Sequence, residues 1–538
     1  VYNRDLNNFA PNLGLAWDPW GDGKTAIRAG YSISYINDEA IRAAGNASAN
    51  NPGLIDGGLV PNLQSNSISG NANAGLVTPP AVPTPAFAIP TTFAQNFAAF
   101  GVPRAGFLID PNLRTPYIGE WNMSVEHDLG HQTSITVSYL GNKGTALSQG
   151  LDYNQVLINP NGLLADFNRA RSNGFLALAA TGSFNPNFNP GISGSQALTV
   201  IPNLCLAKSA ACPNARSLTS ASVINLIQTG QVGEFANTYF SNNLAGTVQL
   251  APSPFVTAGD VLQNHASSIY HAGSVELRRR FNSGLYFQAN YTYSKVLTNS
   301  DGQGQTDVDP LLDNAQPTIE RARAGYDLTN AFKANFVYTL PFGKGFAMNP
   351  SNPWLRSGVS GWSVSSIYTW QSGSPYSILS GQGTLNTAGR SSSKNTAISS
   401  FGHGDINQLL NVSFAPGGKV DLINPTFIGA DGRGAVQNTL GCTPMTNGGF
   451  CNPAPGTVGT LARNAFTGPQ FFNWDFALLK DTPLSENKSL EIRAEAFNFL
   501  NHNVFFVGDQ NINSTTFGTI NSSNSSPRVM QLAVRLIF

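Results

Sequence analysis

QLAVRLIF, residues 531–538, alternates apolar side chains with others in a period of two, which is typical of a β-strand with two different faces. The opposite face includes Arg535, and the apolar face consists of Leu532, Val534, Leu536 and Phe538. Chain ends of soluble domains usually fray into water, whereas the last strand of a membrane barrel must pair to complete the wall. The stretch therefore predicts a wall strand of a transmembrane β-barrel.

The composition points in the same direction. Charged residues make up 11% of the 538 residues and the formal net charge is +0, against roughly 25% charged residues in ordinary soluble domains. No uninterrupted run of about 18 apolar residues occurs, which argues against spanning helices. Intrinsic disorder is the alternative for a chain with 54 glycines, but an aromatic content of 10% argues against it. Apolar residues diluted by uncharged polar ones are typical of transmembrane β-barrels.

The alternation recurs in eleven segments, which are joined in turn by short polar turns and by long loops. Short turns on one rim and long loops on the other are typical of bacterial outer-membrane barrels, with periplasmic turns and extracellular loops. A soluble β-sandwich would not need such long loops between most of its hairpins. We therefore predict an all-β fold, a transmembrane antiparallel β-barrel with long extracellular loops. The predicted strands are 9–17, 25–33, 121–125, 135–139, 275–277, 285–293, 332–340, 362–370, 472–478, 490–496 and 531–538.

The number of strands predicts that the barrel is partial. The carboxyl terminus falls on the short-turn side, so we expect it to be periplasmic. A complete single-chain bacterial barrel has an even number of strands and both ends in the periplasm. Eleven strands that start from outside cannot close in this way. We therefore expect residues 1–538 to be the carboxyl-terminal part of a larger barrel, whose amino-terminal strands, and any leader, are absent from this sequence.

Within the predicted strands, charged residues are confined to the face opposite the apolar stripe. An Arg or Lys facing lipid costs about 2–4 kcal/mol at mid-bilayer, so the charged face is predicted to line a wet lumen. The candidate lumen residues near the end of the chain are Glu491, Arg493, Glu495 and Arg535. The favoured interpretation is a salt-bridge ladder that supports the wall. The alternative is a docking surface for a plug domain inside the barrel.

Four cysteines form two close pairs, Cys205 with Cys212 and Cys442 with Cys451, in segments rich in Pro, Asn and Gly. Local pairs in loops predict two small disulfide-closed loops in an oxidising compartment. Free thiols are the alternative. The spacing matches no zinc-binding pattern.

The sequence contains few candidate motifs for catalysis or ligand binding. GDGKT at 21–25 resembles the end of a phosphate-binding loop, but a strand follows it, so a plain turn is predicted. The acidic stretch Asp301–Asp313 could hold Ca²⁺, although a solvated loop is favoured. No catalytic motif occurs, and the absence of net positive charge argues against nucleic acid. We therefore predict no enzyme activity, cofactor, metal or nucleic-acid partner.

Seven segments in order resemble the carboxyl-terminal barrel of TonB-dependent receptors, and the Oar-like branch in particular. They include NNFAPNLGLAWDPWGDGKTAIRAGYSISY and LEIRAEAFNFLNHNVF, and together they cover nearly every predicted strand. The resemblance implies a 22-stranded barrel with a plug, of which eleven strands would be the second half. The segments are 7–35, 115–145, 326–345, 361–378, 463–484, 490–505 and 517–538.

The same resemblance implies energised uptake across the outer membrane. The implied partners are outer-membrane lipid, a plug, the amino-terminal barrel half, an inner-membrane energy-coupling complex and the barrel-assembly machinery, which would recognise the aromatic end at Phe538. The sequence contains neither a plug nor an energy-coupling box. Our first hypothesis is a transporter for a large or scarce solute, such as an oligosaccharide, a peptide or a metal chelate. The second is a surface adhesion or assembly protein anchored by its barrel.

Overall fold

The computed structural model describes residues 3–35, 92–282, 284–300, 310–343, 348–399, 410–414, 418–436, 440, 449–485 and 487–538. The strands in this part of the chain are β1 Asn12–Trp17, β2 Thr25–Tyr35, β3 Arg104–Ile109, β4 Tyr117–Gly130, β5 Thr133–Asp152, β6 Val256–Asn282, β7 Leu285–Thr298, β8 Ala322–Arg323, β9 Asn330–Thr339, β10 Trp362–Gln371, β11 Pro375–Tyr376, β12 Ile398–Ser399, β13 Leu410–Phe414, β14 Val420–Ile423, β15 Phe450–Cys451, β16 Phe466–Thr467, β17 Phe471–Ser485, β18 Lys488–Phe497, β19 Thr519–Ile520 and β20 Val529–Ile537. The helices are α1 Phe93–Phe100, α2 Leu163–Thr181, α3 Ala221–Gln228, α4 Val232–Ser241, α5 Pro353–Val359 and α6 Ala388–Ser391.

Eleven strands form one antiparallel wall in the order β1-β2-β4-β5-β6-β7-β9-β10-β17-β18-β20. They are the eleven predicted strands, so the predicted fold class is confirmed. Two short strands extend the same sheet to thirteen, because β3 pairs with β6 and β8 pairs with β7. In the described part of the chain β1 and β20 each pair on one side only, so the wall is an open, partial barrel.

The strand register separates the two faces of the wall. One cross-strand row is almost wholly apolar, and the adjacent row is small and polar except for one arginine. Because a slip of one residue would exchange the faces, apolar burial in lipid fixes this register. We call the two sides the outer face and the lumen face. The outer-face row is Trp17, Ile27, Val125, Val137, Val275 and Tyr291; the lumen-face row is Ala16, Arg28, Ser124, Ser138, Ser274 and Thr292.

Two neighbouring strands are longer than a membrane requires. β5 has 20 residues and β6 has 27, whereas about 9–11 residues of a tilted strand span the hydrocarbon core. At about 3.3 Å per residue, β6 extends roughly 90 Å. Both strands therefore continue past the membrane on the long-loop rim, where they carry folded segments. None of the described helices is long and apolar enough to cross a membrane.

The loop between β5 and β6, residues 153–255, folds into what we call the helical cap. Helices α2, α3 and α4 enclose their own apolar core, in which Phe167, Phe235 and Tyr239 are fully buried. The rings of Phe167 and Phe235 meet edge to face at 5.3 Å. The sequence pattern led to no predicted structure inside this loop. A signal was present, because the buried positions of α2 recur with a helical period between Gly162 and Gly182.

The sheet cap covers the same rim and is made of residues 372–470 and 498–528, as far as these are described. Its small sheets are β11–β16, β12–β15 and β13–β14–β19. They surround a second core that includes Phe450, Phe466 and Phe517. The two caps contact each other, since the amide of Gly233 donates to the carbonyl of Gly383 at 2.8 Å.

The last wall strand runs toward the short-turn rim. In β20, Ile537 lies opposite Ser489 of β18, immediately beside the turn that joins β17 and β18. The carboxyl terminus therefore lies on the rim of the short turns, as predicted. The periplasmic location of the carboxyl terminus stays a prediction.

Val137→Arg and Ser138→Arg test the face assignment, because neighbouring positions of β5 place the same charge on opposite faces. We expect Val137→Arg, near the middle of the outer face, to lower the free energy of unfolding by about 2–4 kcal/mol. Ser138→Arg should change it little, since the lumen is wet. Denaturant unfolding in lipid vesicles measures both. Equal losses in the two variants would contradict the assignment.

Candidate functional site

The lumen residues predicted near the end of the chain lie together on β18 and β20. Glu491 is directly opposite Arg535, and Arg493 forms an ion pair with Glu495 along the same strand. Gln531 donates a hydrogen bond from β20 to Glu495. The structure thus brings the four predicted charges onto one face of the final hairpin. The ion pair runs along β18, and the role of the four residues as a ladder that supports the wall stays a prediction.

The other predicted sites lie apart from this ladder. Cys205 and Cys212 form a disulfide with Cα atoms 5.7 Å apart in the helical cap. Cys442 lies outside the described residues, so its pairing with Cys451 stays a prediction. Phe538 is 90% exposed at the end of the wall. Its role as an assembly signal also stays a prediction.

A charged cleft of about 510 Å³ opens on the lumen face at the short-turn rim. Arg28 forms an ion pair with Glu126 at 2.7 Å, and Arg278 and Arg280 approach from β6. Mixed charges of this kind hold water and polar groups rather than an apolar ligand. The cleft therefore supports a hydrated lumen.

The segment GDGKT above this cleft is a turn, as predicted. The carboxylate of Asp18 accepts hydrogen bonds from the amides of Gly21 at 2.9 Å and Gly23 at 2.8 Å. Both glycines have positive φ, at 67° and 70°, which the turn requires and glycine adopts without strain. The carboxylate takes up amides that a phosphate-binding loop would leave free.

A buried ion cluster ties the segment between β7 and β8 to the sheet cap. Glu320, between β7 and β9, receives Arg463 at 3.0 Å and Lys394 at 3.5 Å, and all three side chains are at most 4% exposed. Arg463 also donates to the backbone carbonyl of Glu320, and Glu320 accepts the amide of Leu312 at 2.7 Å. A cavity of about 250 Å³ adjoins the cluster. The cluster could not be predicted from the sequence, because its members come from three distant loop segments.

The caps are also fastened to the wall. Arg390 of α6 donates two hydrogen bonds to the carboxylate of Asp260 on β6, both at 2.9 Å. Both bonds come from one nitrogen, Nη2, and hydrogen bonds between charged groups are stronger than those between neutral ones. The sheet cap is therefore held against the long strand that also carries the helical cap.

Asp166 organises the interior of the helical cap. It is fully buried and accepts the amides of Thr199, Val200 and Ile201 as well as the Arg169 guanidinium. Burial raises the pKa of Asp166, but these hydrogen bonds, led by that from Ile201, lower it further, and the net pKa lies below the usual value. The carboxylate is therefore charged and joins α2 to the following loop.

The described residues contain no group of three His, Cys, Asp or Glu side chains that could hold a metal ion. Most of the acidic stretch 301–313 lies outside them. Asp313 is described, and its carboxylate binds the amide of Ala315 and the side chain of Gln316 instead. Any calcium site in this stretch stays a sequence hypothesis.

Residues 1–531 match the family model described as the outer membrane beta barrel domain. The chain belongs to this family. Membership agrees with the two-faced antiparallel wall and assigns the chain to the bacterial outer membrane. No curated protein sequence matches the chain.

Solved structures that the chain matches include outer-membrane proteins of several bacteria. The outer membrane transporter YddB from Escherichia coli is 9% identical, with a TM-score of 0.37, over 97% of this chain and 40% of YddB. The ferripyoverdine receptor of Pseudomonas aeruginosa is 8% identical, with a TM-score of 0.34, over 100% of this chain and 34% of the receptor. The FrpB iron transporter from Neisseria meningitidis is 9% identical, with a TM-score of 0.32, over 98% and 39%. The chain thus spans well under half the length of these proteins.

Glu320→Gln tests whether the buried ion cluster holds the segment between β7 and β8 against the sheet cap. Removing the carboxylate leaves two buried cations facing each other, which costs about 3–5 kcal/mol when a buried pair is broken. We expect faster amide hydrogen exchange around Leu312 and in the loop that carries Arg463. Asp431→Asn is the control, because it breaks an exposed pair with Arg433 in the same cap and should cost less than about 1 kcal/mol. Similar exchange in both variants would show that the cluster is not a fastening.

Proposed function

We propose that this chain is the carboxyl-terminal part of the barrel of a TonB-dependent outer-membrane transporter that takes up a large or scarce solute. The observation that carries the proposal is the combination of a polar lumen face with folded caps on one rim of the wall. The seven motifs in family order support the same assignment. In this proposal the open edges at β1 and β20 pair with the amino-terminal half of a larger barrel.

The lumen face suits passage of a polar solute. Cross-strand rows of serine and threonine alternate with charged positions, which include the Arg28–Glu126 ion pair. Fixed charges of both signs keep a lumen hydrated and give a plug polar surface to contact. The ladder of Glu491, Arg493, Glu495 and Arg535 would serve as wall support and, as a refinement, as one such contact.

The caps suit capture of the solute. They have apolar cores and disulfide or ion-pair fastenings of their own, so they can present a fixed surface on loops. Binding residues often lie on loops positioned by a rigid scaffold. We place the caps outside the cell and the short turns, with Phe538, in the periplasm. A plug, an inner-membrane energy-coupling complex and the barrel-assembly machinery complete the proposal as partners.

Anchoring is the second candidate function, because the same folded caps would suit adhesion or assembly at the cell surface. The two functions differ in their need for energy. Transport through a plugged barrel needs coupling to the inner membrane, whereas a surface anchor does not.

Peptide tags at two turns test the proposed topology. A tag between Asp431 and Gly432, in the sheet cap, should be labelled by antibody on intact cells. A tag at Gly343, between β9 and β10, should be labelled only after the outer membrane is permeabilised. Labelling of Gly343 on intact cells would overturn the proposed orientation.

Uptake by cells that express the intact protein tests transport. The probes are a labelled ferric chelate, a labelled oligosaccharide and a labelled peptide, each at limiting concentration. We expect uptake of one probe, and its loss both on deletion of 201–241 from the helical cap and on collapse of the proton gradient. The control variant Phe188→Ala alters an exposed side chain of that cap and should keep uptake. Uptake of none of the probes, together with cell adhesion that depends on the caps, would favour anchoring.

A further inference from the structure

An aromatic cluster lies on the outer face where the apolar band of β4, β5 and β6 ends. The hydroxyl of Tyr139 is 2.8 Å from Nδ1 of His271, and the two rings are stacked with an angle of 18° between their planes. Trp121 donates its indole N–H to the Tyr139 hydroxyl at 3.3 Å and tilts against His271. Tyr139 and His271 are both exposed. The cluster is therefore an ordered, polar-edged aromatic surface that faces away from the lumen.

Gly141 makes this arrangement possible. A Cβ at this position would lie 2.3 Å from the indole nitrogen of Trp121, a distance that would displace the ring. The glycine thus lets the indole lie flat on the backbone of β5. The aromatic side chains form a shallow floor, rather than projecting singly into lipid.

Two lysines flank the cluster. Lys295 of β7 is directly opposite His271, and Lys143 of β5 is one outer-face position above Gly141. Both are exposed, and neither ammonium group forms a hydrogen bond or an ion pair within the described part of the chain. Acidic residues are absent from the three outer-face rows concerned, all of which are described. The rows are Met123–Tyr139–Gly273–Tyr293, Trp121–Gly141–His271–Lys295 and Gly119–Lys143–Ile269–Leu297.

The position along the strands places the lysines at a membrane interface. Lys143 is ten residues from the start of β5, and Lys295 is ten residues from the start of β7. Ten residues at about 3.3 Å each, tilted by about 40°, rise about 25 Å above the short-turn rim. This equals the height of the apolar band of outer-membrane barrels, about 25 Å. The two ammonium groups therefore meet headgroups on the side of the caps.

We propose that Lys143, Lys295 and the Trp121–Tyr139–His271 cluster bind the headgroup of a phosphorylated glycolipid in the leaflet on the side of the caps. Unpartnered cations at headgroup height select phosphate, and exposed aromatic faces with polar edges suit a sugar ring. In the adjoining segment the carboxylate of Asp327, which accepts the amide of Val296, is buried and ion-paired with Arg323. The choice of leaflet rests on the proposed orientation; the binding chemistry does not.

The test uses the intact protein, extracted in detergent and freed of lipid, with diphosphorylated lipid A and its dephosphorylated form as probes. The variant is Lys143→Gln with Lys295→Gln. Its matched control is Lys24→Gln with Lys333→Gln, which removes two exposed lysines from the lumen side of the same wall. Native mass spectrometry counts bound lipid and gives the Kd, and heat-modifiable gel mobility shows that each variant is folded.

We expect the outer-face variant to bind diphosphorylated lipid A roughly thirty-fold more weakly, as follows from two lysine contacts at a membrane surface. The control should keep the affinity of the unaltered protein, and the dephosphorylated form should bind weakly to all three. An unchanged Kd in the outer-face variant, or an equal loss in the control, would overturn the proposal. A lipid-free dimer that this variant dissociates would also overturn it, in favour of a second copy of the chain.

Failure of the two proposals can be told apart. The titration in detergent does not depend on the direction in which the protein is inserted or on transport. Lipid binding with a periplasmic tag at Asp431 would leave the headgroup site in place and refute the proposed orientation. Correct tag exposure without selective binding would refute the headgroup site alone.

Discussion

Pairing of backbone groups in a medium without water is the constraint on which this structure depends. Within hydrocarbon every N–H and C=O must find a partner inside the protein. Strand pairing meets this demand only when each side chain alternates between lipid and lumen, so backbone chemistry and side-chain pattern constrain each other. The row that joins Trp17 to Tyr291 and the row that joins Ala16 to Thr292 are two consequences of one register. A single shifted strand would turn an apolar row toward water and a polar row toward lipid.

The same constraint explains why the sequence was enough to predict the wall. Val137 faces lipid and Ser138 faces water, because adjacent residues of a strand point to opposite faces. The polarity of each side chain matches the medium that it faces. The eleven wall strands therefore follow from periodicity, and their order follows from the alternation of short turns and long loops. The shared face of Glu491 and Arg535 followed as well, since these residues lie on strands that neighbour each other at the end of the chain. The ion pair of Arg493 did not follow, because this side chain turns along its own strand to Glu495.

The caps could not be predicted in the same way, because water allows many folds where lipid allows few. Glu320 and Arg463 are 143 positions apart, and nothing local in either segment marks the other as a partner. The helical period of α2 was visible, but small and polar residues interrupt it. Asp166 is an example, since its neighbours suggest a solvated helix start while the structure buries it among three loop amides. Tertiary contacts decided these positions.

The long strands connect the membrane-spanning wall with the caps. β5 and β6 leave the membrane as paired strands and carry the caps. The strand register that lipid imposes on the wall therefore also sets the relative position of the two strand ends at the caps. Asp260, near the upper end of β6, receives Arg390 from the sheet cap, while the helical cap begins where β5 ends. Below this level lie Tyr139 and His271, where the outer face changes from apolar to aromatic and then to cationic. A change of that kind along one continuous face follows the profile of the bilayer itself, from hydrocarbon through the interface to phosphate. The side chains of the outer face therefore match their surroundings at each height of the wall. The proposed headgroup site lies at the height where these side chains are cationic and aromatic, a combination that suits a phosphorylated sugar.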